Sequence, residues 1–228
     1  MTLRIYEDLE QGSDEWMQAR CGMITSSELS LILTPTLKTA DNENTRKHVY
    51  ELAAQRLTGY VEPSYIGDNM LRGWADEIRA RDLYSERIAP VVEVGGMVRD
   101  FGAFKLWCSP DGLVGDDGGL EVKSRVQKYQ IQTIAANEVP KEHIMQVQAG
   151  LLVSGRKWWD YVSYSGGLPV WIIRVEPDPV VQAAIVSACE TFEGKVQEVM
   201  AQYQERISGL GDSVIITERE IEQEVYLG

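Results

Sequence analysis

Long apolar runs, paired cysteines and a surplus of basic residues are all missing from this chain of 228 residues. No apolar stretch approaches the roughly eighteen residues that a membrane span requires. The N-terminal MTLRIYEDLEQGSDEW lacks a basic region followed by an apolar one, so we expect no signal peptide. Cys21, Cys108 and Cys189 are odd in number and widely spaced, which fits neither a disulfide framework nor a zinc-finger spacing. These absences predict a cytoplasmic protein with no membrane partner.

The formal net charge of −13 argues at first against nucleic acid as a partner, because phosphate binding requires local Lys and Arg. Net charge governs solubility and long-range association, however, and a cleft can carry the opposite local potential. Much of the acidic load lies in EDLEQGSDEW and ITEREIEQEVYLG, near the two ends. An enzyme that acts on DNA through metal ions must also collect carboxylates. The net charge therefore does not exclude nucleic acid as a partner.

The chain is predicted to be a single domain with a helical N-terminal part (1–88), a sheet core (89–176) and a C-terminal helix (177–228). Ser13 is a candidate helix N-cap, and Gly59 ends the helical pattern NENTRKHVYELAAQRLTG. The segments PVVEVGGMV, GAFKLWCS and GGLEVKS are rich in β-formers and punctuated by glycine, which favours an antiparallel meander.

Two further helices, QKYQIQTIAAN and KEHIMQVQAGLLVSG, precede two strands, KWWDYVSYS and PVWIIRVEP, joined by a Gly-Gly turn. From Pro179 the apolar residues recur at steps of three and four, which predicts a long amphipathic helix. The economical fold class is α/β (α+β), with a central mixed β-sheet flanked by helices.

The stretch CSPDGLVGDDGGLEVKS carries the candidate chemistry. Side chains alternate along a strand, so Glu121 and Lys123 share one face while Val122 points to the core. The glycine-rich turn 115–119 can fold Asp111 back beside Glu121. Two neighbouring carboxylates require a proton or a cation, and oxygen ligands favour Mg²⁺ or Mn²⁺.

A divalent ion there can polarise a phosphodiester and activate water, with Lys123 orienting that water or stabilising negative charge. The alternative is structural, since SPDG alone is a common turn and EVK alone a solvent-facing strand edge. Asp116 and Asp117 are interpreted as solvated turn acids. The joint pattern favours a metal-dependent phosphodiesterase.

Asp111, Glu121 and Lys123, preceded by Pro110, resemble the PD-(D/E)xK motif of the restriction-endonuclease-like superfamily. The segments ARCGMITSSEL, RGWADEIRARDLY, CSPDGL, LEVKS and VPKEHIMQVQAGLLVSGRKWWDYVSY resemble, in that order, those of the phage lambda exonuclease (YqaJ-like, alkaline exonuclease) family. The resemblance implies a restriction-endonuclease-like core. It also implies an exonuclease that degrades one strand of linear double-stranded DNA from the 5′ end by two-metal hydrolysis, leaving a 3′ overhang for phage-type recombination.

The resemblance implies Asp111 and Glu121 as metal ligands, completed by the Val122 backbone carbonyl, and Lys123 as the catalytic lysine. It adds Glu77, which alone would be interpreted as a solvated helical acid, and Gln146. Gln146 and Gln148 cannot share a helical face, and Gln146 is the one expected in the site.

For the 5′-phosphate and DNA, the resemblance implies Arg20, Ser27 and Ser109. A family arginine after the catalytic lysine falls on Tyr129 here, so Arg125 and Lys128 are the neighbouring candidates. His143 contacts DNA or simply packs. Met70 and Leu71 are apolar candidates for splitting the duplex end.

The implied cofactor is Mg²⁺, for which Mn²⁺ is expected to substitute. The implied partners are 5′-phosphorylated duplex ends, two further copies in a homotrimeric ring, and a single-strand annealing protein, in a bacterial host cell and encoded by a phage or prophage. Two other hypotheses stay open: a structure-specific endonuclease of the same superfamily, and a non-catalytic DNA-binding or assembly module.

Overall fold

The structure, a computed structural model, describes residues 2–63 and 67–219. Nine strands are present in these ranges: β1 Thr2–Tyr6, β2 Ile24–Thr25, β3 Val91–Val92, β4 Gly96–Asp100, β5 Lys105–Cys108, β6 Gly112–Val114, β7 Gly118–Ser124, β8 Trp158–Tyr164 and β9 Trp171–Val175. The α-helices are α1 Asp14–Ala19, α2 Glu43–Thr58, α3 Asp68–Arg87, α4 Gln127–Ala136, α5 Lys141–Ser154 and α6 Pro179–Leu210. Short 3₁₀ helices cover Ser26–Leu31 and Gly211–Ser213.

The strands form two sheets, both mixed. The first has the order β1-β4-β5-β2 and the second β3-β6-β7-β8-β9. In the second sheet β7 and β8 run parallel, with Glu121 opposite Tyr161, while the other pairs are antiparallel. In the first, β2 runs parallel to β5, with Thr25 opposite Trp107. The mixed α/β class is thus confirmed.

Two expectations about the strands need correction. The segment 1–88 is mostly helical, but Thr2–Tyr6 and Ile24–Thr25 are strands that pair with β4 and β5. The predicted single meander is wrong, because the β4–β5 and β6–β7 hairpins belong to different sheets. The chain crosses from one sheet to the other between Cys108 and Gly112, through Ser109, Pro110 and Asp111.

Local signals in the sequence explain where several helices begin and end. The Ser13 hydroxyl accepts the Trp16 amide at 3.2 Å, as expected of an N-cap. α2 ends at Gly59 in the left-handed region, at φ +66°. α6 begins at Pro179, with the Asp178 carboxylate capping the amides of Val180 and Val181.

Strand β7 is held close to β8 by its two leading glycines. A Cβ at Gly118 would lie 2.1 Å from the Trp158 ring, and one at Gly119 would lie 2.3 Å from the Trp159 ring. Both indoles therefore lie directly on the strand, and Trp159 is fully buried. This packing fixes β7, which carries Glu121 and Lys123, in the middle of its sheet.

The core has two parts. The larger cluster joins both sheets to α2, α5 and α6 and includes Trp159, Tyr161 and Phe192. The smaller cluster packs α3 against the second sheet through Ala80, Tyr84, Val114, Leu120, Val122 and Val162. This smaller cluster sets the position of α3, the helix of Glu77, relative to β7. Within the described residues no helix is both long and apolar enough to cross a membrane.

Candidate active site

Asp111 and Glu121 lie on the two arms of the β6–β7 hairpin. The Asp111 amide donates to the Leu120 carbonyl at 3.1 Å, and the Val122 amide donates to Asp111 Oδ2 at 2.5 Å. Glu121 is 2 % exposed and Asp111 is 9 % exposed. The hairpin therefore holds two nearly buried carboxylates side by side, with the turn acids outside.

Lys123 shares the face of Glu121. Its Nζ lies 2.5 Å from Glu121 Oε1, and its side chain is a quarter exposed. Val122, between them, is buried in the smaller cluster, as strand alternation requires. Burial alone would lower the pKa of Lys123, but the carboxylates of Glu121 and Asp111 raise it above its ordinary value. The lysine is therefore a fixed cation at physiological pH.

Glu77 reaches this group from α3. Arg81, one turn further along, donates to Glu77 Oε1 at 3.1 Å and to the Asp111 carbonyl at 3.3 Å. The other arm of the Arg81 guanidinium lies 2.8 Å from Glu93. Arg81 thus links α3, the segment before β4 and the hairpin of Asp111 and Glu121.

The electrostatics show a surplus of negative charge. Burial raises the pKa of Asp111 well above its ordinary value, and the carboxylates of Glu121 and Glu77 raise it further. Burial and Glu121 likewise raise the pKa of Glu77, against the lowering effect of Arg81. Such a cluster is stabilised by a cation, and its hard oxygen donors suit Mg²⁺ or Mn²⁺. The residues present fit a divalent metal.

A different group could also hold a metal by its residue types. Glu28, His48 and Glu51 bring ligand atoms within 4.8 Å of one another. His48 Nδ1 lies 2.9 Å from Glu51, and Glu28 already accepts the Thr25 hydroxyl at 2.6 Å. Neither carboxylate belongs to the Asp111 and Glu121 hairpin, and the sequence reasoning did not single out this group.

Of the residues predicted to hold a 5′-phosphate, Ser27 and Ser109 follow β2 and β5, and Arg20 is the C-cap of α1. These strands are parallel, so Ser27 and Ser109, each two residues beyond the paired Thr25 and Trp107, follow the same edge of the sheet. The Arg20 guanidinium stacks on Trp16 at 4.2 Å, and the Trp16 indole N–H reaches Ser109 Oγ at 3.2 Å.

Arg20 forms no ion pair within the described residues. Burial lowers its pKa, and Glu28 and Glu51 oppose this. A partly buried arginine with free donors is suited to bind an anion.

Ser109 is arranged as a donor. Its Oγ accepts the Trp107 indole N–H at 2.8 Å and shares the Trp16 N–H with the Gly95 carbonyl. Because two indoles occupy its oxygen, its own hydrogen is free to donate. Ser27 differs, since its Oγ lies 3.1 Å from Thr25 Oγ1, whose hydrogen is donated to Glu28. Ser27 must therefore donate to Thr25 in this arrangement.

Arg125 and Lys128 meet at Tyr129, at the start of α4. Arg125 Cζ lies 5.1 Å and Lys128 Nζ 4.7 Å from the centre of its ring. Arg125 also contacts His143 Nε2 at 3.0 Å and Glu142 at 3.4 Å. Burial, with Lys123 and Arg125, lowers the pKa of His143 to about 4, so the neutral ring accepts from Arg125. His143 also stacks on Tyr161.

The two glutamines of α5 differ as the helical geometry predicts. Gln148 is buried, donates to the Glu176 carbonyl at 2.8 Å and accepts the Asp178 amide at 2.9 Å, which is a structural role. Gln146 is half-buried and makes no side-chain hydrogen bond to the described residues. Met70 and Leu71 are exposed in the first turn of α3, two turns before Glu77.

Sequence reasoning missed Arg81, Trp16, Trp107 and the pair Asp76–Ser124. Arg81 follows Glu77 by four residues, and Arg20 follows Trp16 by four residues. This spacing puts both members of each pair on one helix face, so these two contacts could have been found from the sequence. The other contacts join distant segments: Ser124 Oγ donates to Asp76 Oδ2 at 2.7 Å across 48 residues.

The fold and the hairpin define a nuclease of the restriction-endonuclease-like class. Residues 15–157 match the family described as the YqaJ-like viral recombinase domain. An alkaline exonuclease from Laribacter hongkongensis is 30 % identical with a TM-score of 0.77, over 87 % of this chain and 100 % of the other. The same enzyme in complex with dAMP is 31 % identical with a TM-score of 0.75, over the same shares.

The chain belongs to the YqaJ-like viral recombinase domain family, and it is a hydrolase of the exonuclease class. This family implies a divalent metal. A phage-related exonuclease from Haemophilus somnus 129PT, at 11 % identity and a TM-score of 0.56 over 79 % of this chain and 96 % of the other, shares the fold. A comparison with curated protein sequences finds no significant match.

Proposed function

We propose that this chain is a Mg²⁺-dependent 5′→3′ exonuclease that degrades one strand of linear double-stranded DNA and leaves a 3′ single-stranded overhang. The observation that carries this function is the meeting of Asp111, Glu121 and Lys123 on one hairpin, with Glu77 reaching them from α3. Such a site binds divalent cations and holds Lys123 next to the phosphodiester that those cations would bind.

In this proposal Asp111, Glu121 and the Val122 carbonyl hold the metal, and Glu77 and Gln146 complete the site. When bound, the metal would polarise the phosphodiester and activate water, as the family resemblance implies for two-metal hydrolysis. Lys123, held by Glu121 at 2.5 Å, orients the attacking water or donates to the phosphate oxygens as their charge grows. Mn²⁺ substitutes for Mg²⁺ because both accept hard oxygen ligands.

The direction of digestion depends on the end-binding residues. Arg20, Ser27 and Ser109 form a 5′-phosphate pocket, supported by the donor arrangement of Ser109 and by the Arg20 guanidinium, which has no ion pair among the residues that the structure describes. Arg125 and Lys128 bind the backbone nearby. Met70 and Leu71 separate the terminal pair, and their exposure two turns before Glu77 supports this role.

The proposal extends to the assembly and setting. Three copies form a ring around DNA, so that only its channel needs to be basic while the exterior carries the net charge of −13. A DNA complex whose sedimentation mass exceeds that of the DNA by one 25.6 kDa chain would contradict the ring. A single-strand annealing protein receives the 3′ strand, in the cytoplasm of a bacterial host, and the whole described unit is one nuclease domain.

The function is tested with linear DNA labelled at either end, with and without a 5′-phosphate, and with covalently closed circles. In Mg²⁺ we expect release from the 5′ end of linear DNA and none from circles. Asp111→Asn should slow release by at least about 100-fold, roughly 3 kcal/mol of activation free energy. Asp116→Asn, in the exposed turn of the same hairpin, is the matched control and should retain activity.

Cleavage of closed circles would favour the structure-specific endonuclease instead. Equal release by Asp111→Asn and the wild type would show that the hairpin is not the catalytic centre, and absence of any Mg²⁺-dependent hydrolysis would favour the non-catalytic module.

A further inference from the structure

Tyr129 presents an aromatic ring to solvent six residues after the catalytic strand's lysine. The side chain is 44 % exposed and makes no hydrogen bond within the described residues. The next residue, Gln130, is fully buried: it donates to the carbonyls of Ser163 and Pro169 and accepts the Ser163 hydroxyl at 2.6 Å. These bonds fix the first turn of α4 on the sheet and hold Tyr129 outward.

Two cations already use this ring. Lys128 Nζ and Arg125 Cζ lie within 4.7 and 5.1 Å of its centre, so the electron-rich faces attract positive charge. Arg125 is held by His143 and Glu142 and is only 12 % exposed, and its Nε is buried without a partner among the described residues. Lys128 is exposed and has a flexible stem. Lys128 can therefore leave the ring when a better stacking partner arrives.

A flat π-system with phosphate attached fits this arrangement. A base stacking on Tyr129 would replace Lys128 on the ring, and the released ammonium would stay within reach of the adjoining phosphate. Bases inside a duplex are stacked on each other and cannot offer a face, so the ligand must be unpaired or terminal.

We propose that Tyr129, with Arg125 and Lys128, is a stacking platform for an unpaired nucleotide of the strand being degraded. This inference rests on the proposed function, because it takes the ligand to be the strand that passes Lys123. The platform holds the separated strand after the pair has opened and so lowers the tendency of the end to re-anneal.

The test uses a 5′-phosphorylated duplex with a three-nucleotide 5′ tail that contains 2-aminopurine, bound in Ca²⁺ so that hydrolysis does not proceed. The wild type should quench the 2-aminopurine by stacking. Tyr129→Leu should lose the quench and bind the tailed duplex about tenfold more weakly, while Tyr129→Phe keeps both. Tyr203→Leu, a tyrosine of similar exposure on α6, is the matched control and should behave as wild type.

The two proposals fail separately. Wild-type quench and affinity in Tyr129→Leu, in a protein that digests linear DNA, overturn the platform and leave the nuclease intact. Loss of quench in Tyr129→Leu alongside a wild type that hydrolyses no DNA supports the platform and overturns the nuclease. If Tyr129→Leu weakened the binding of fully paired blunt DNA as much as the binding of the tailed duplex, Tyr129 would contact the duplex. That outcome would also overturn the platform.

Discussion

Ser109 shows how a single side chain can be prepared for an anion before the anion binds. Two indole N–H groups occupy its oxygen, and one of those indoles also carries the Arg20 guanidinium. An anion at this point would meet a hydroxyl hydrogen and a guanidinium without displacing either from another acceptor in the described chain. The cost of reorganising the donors on binding is therefore small.

Selection of 5′-phosphorylated ends is expected to depend on Arg20. Arg20→Gln removes the charge and leaves a shorter polar side chain, so the ratio of digestion rates on 5′-phosphorylated and 5′-hydroxyl ends should fall towards one. The measurement is initial rate on the two substrates, with Arg46→Gln, a 61 % exposed arginine, as control. An unchanged ratio in Arg20→Gln would remove this residue from the pocket.

Sequence reasoning reached the residues whose relation is local. Asp111, Glu121 and Lys123 sit on one hairpin, so strand alternation and a glycine turn were enough to predict that they meet. Arg81 could not be assigned in this way, because its role depends on Glu93 and on the Asp111 carbonyl, which only the tertiary fold brings to it. The pairing of Trp107 with Ser109 is local, but its meaning required Trp16 from 93 residues away.

At the scale of elements, one partly buried hydrogen bond ties α3 to β7. Ser124, directly after Lys123, donates to Asp76, directly before Glu77. Asp76 is 7 % exposed, and its other oxygen is 3.4 Å from Arg79. This bond therefore fixes the distance between the backbone at Glu77 and the backbone at Lys123, two proposed site residues.

Ser124→Ala is expected to destabilise the protein. It leaves a nearly buried carboxylate oxygen without its donor, at a cost of about 1–3 kcal/mol in the free energy of unfolding. For a chain of this size each kcal/mol lowers the Tm by roughly 2–4 °C. Thermal unfolding measures the change, with the exposed Ser187→Ala as control. A Tm equal to wild type would mean that water or Arg79 satisfies Asp76 without Ser124.

Elements defined by their own periodicity begin where the sequence predicts, but the helix predicted over 177–228 ends at Leu210. α2 with its glycine end and α6 from Pro179 follow from spacing and caps alone. The division of the two hairpins between two sheets did not follow, because it depends on pairing across the chain. β5 pairs with Ile24 and Thr25, and β7 pairs with β8 beyond two intervening helices. Such non-local pairings leave little trace in a short stretch of sequence.

At the scale of the whole molecule, Arg56 and Glu193 clamp α2 to α6. The guanidinium donates through both terminal nitrogens at 2.6 and 2.8 Å, and Gln197 adds a bond at 2.7 Å. Arg56 Nε also donates to the Gly22 carbonyl at 2.7 Å. The clamp therefore connects α6 to Gly22, in the loop that follows Arg20.

The Arg56–Glu193 clamp should make the free energy of unfolding depend on pH. Burial would raise the pKa of Glu193, but bonds from Arg56 and Gln197 hold it below the ordinary value. Its stabilising contribution is complete above about pH 4.3, the value for an unperturbed glutamate, and is lost as pH falls through the lower folded pKa. Glu193→Gln should cost roughly 1–3 kcal/mol at pH 7.

Urea unfolding at pH 7, 4 and 3 measures this dependence. The gap between the wild type and Glu193→Gln should narrow as pH falls, whereas the exposed Glu190→Gln should show little gap at any pH. A gap that stays constant from pH 7 to 3 would mean that the charge of Glu193 contributes nothing.

The crossing between the two sheets has a consequence for the size of each catalytic step. The first sheet ends at Cys108 and the second begins at Gly112, and the two peptide links from Ser109 to Asp111 in the crossing can separate their Cα atoms by no more than about 7 Å. If Ser109 binds the terminal phosphate and Asp111 faces the bond to be cut, the backbone between them limits the distance from that phosphate to that bond. This distance corresponds to about one nucleotide unit. The enzyme would then release mononucleotides, and lengthening the link would change the size of the product.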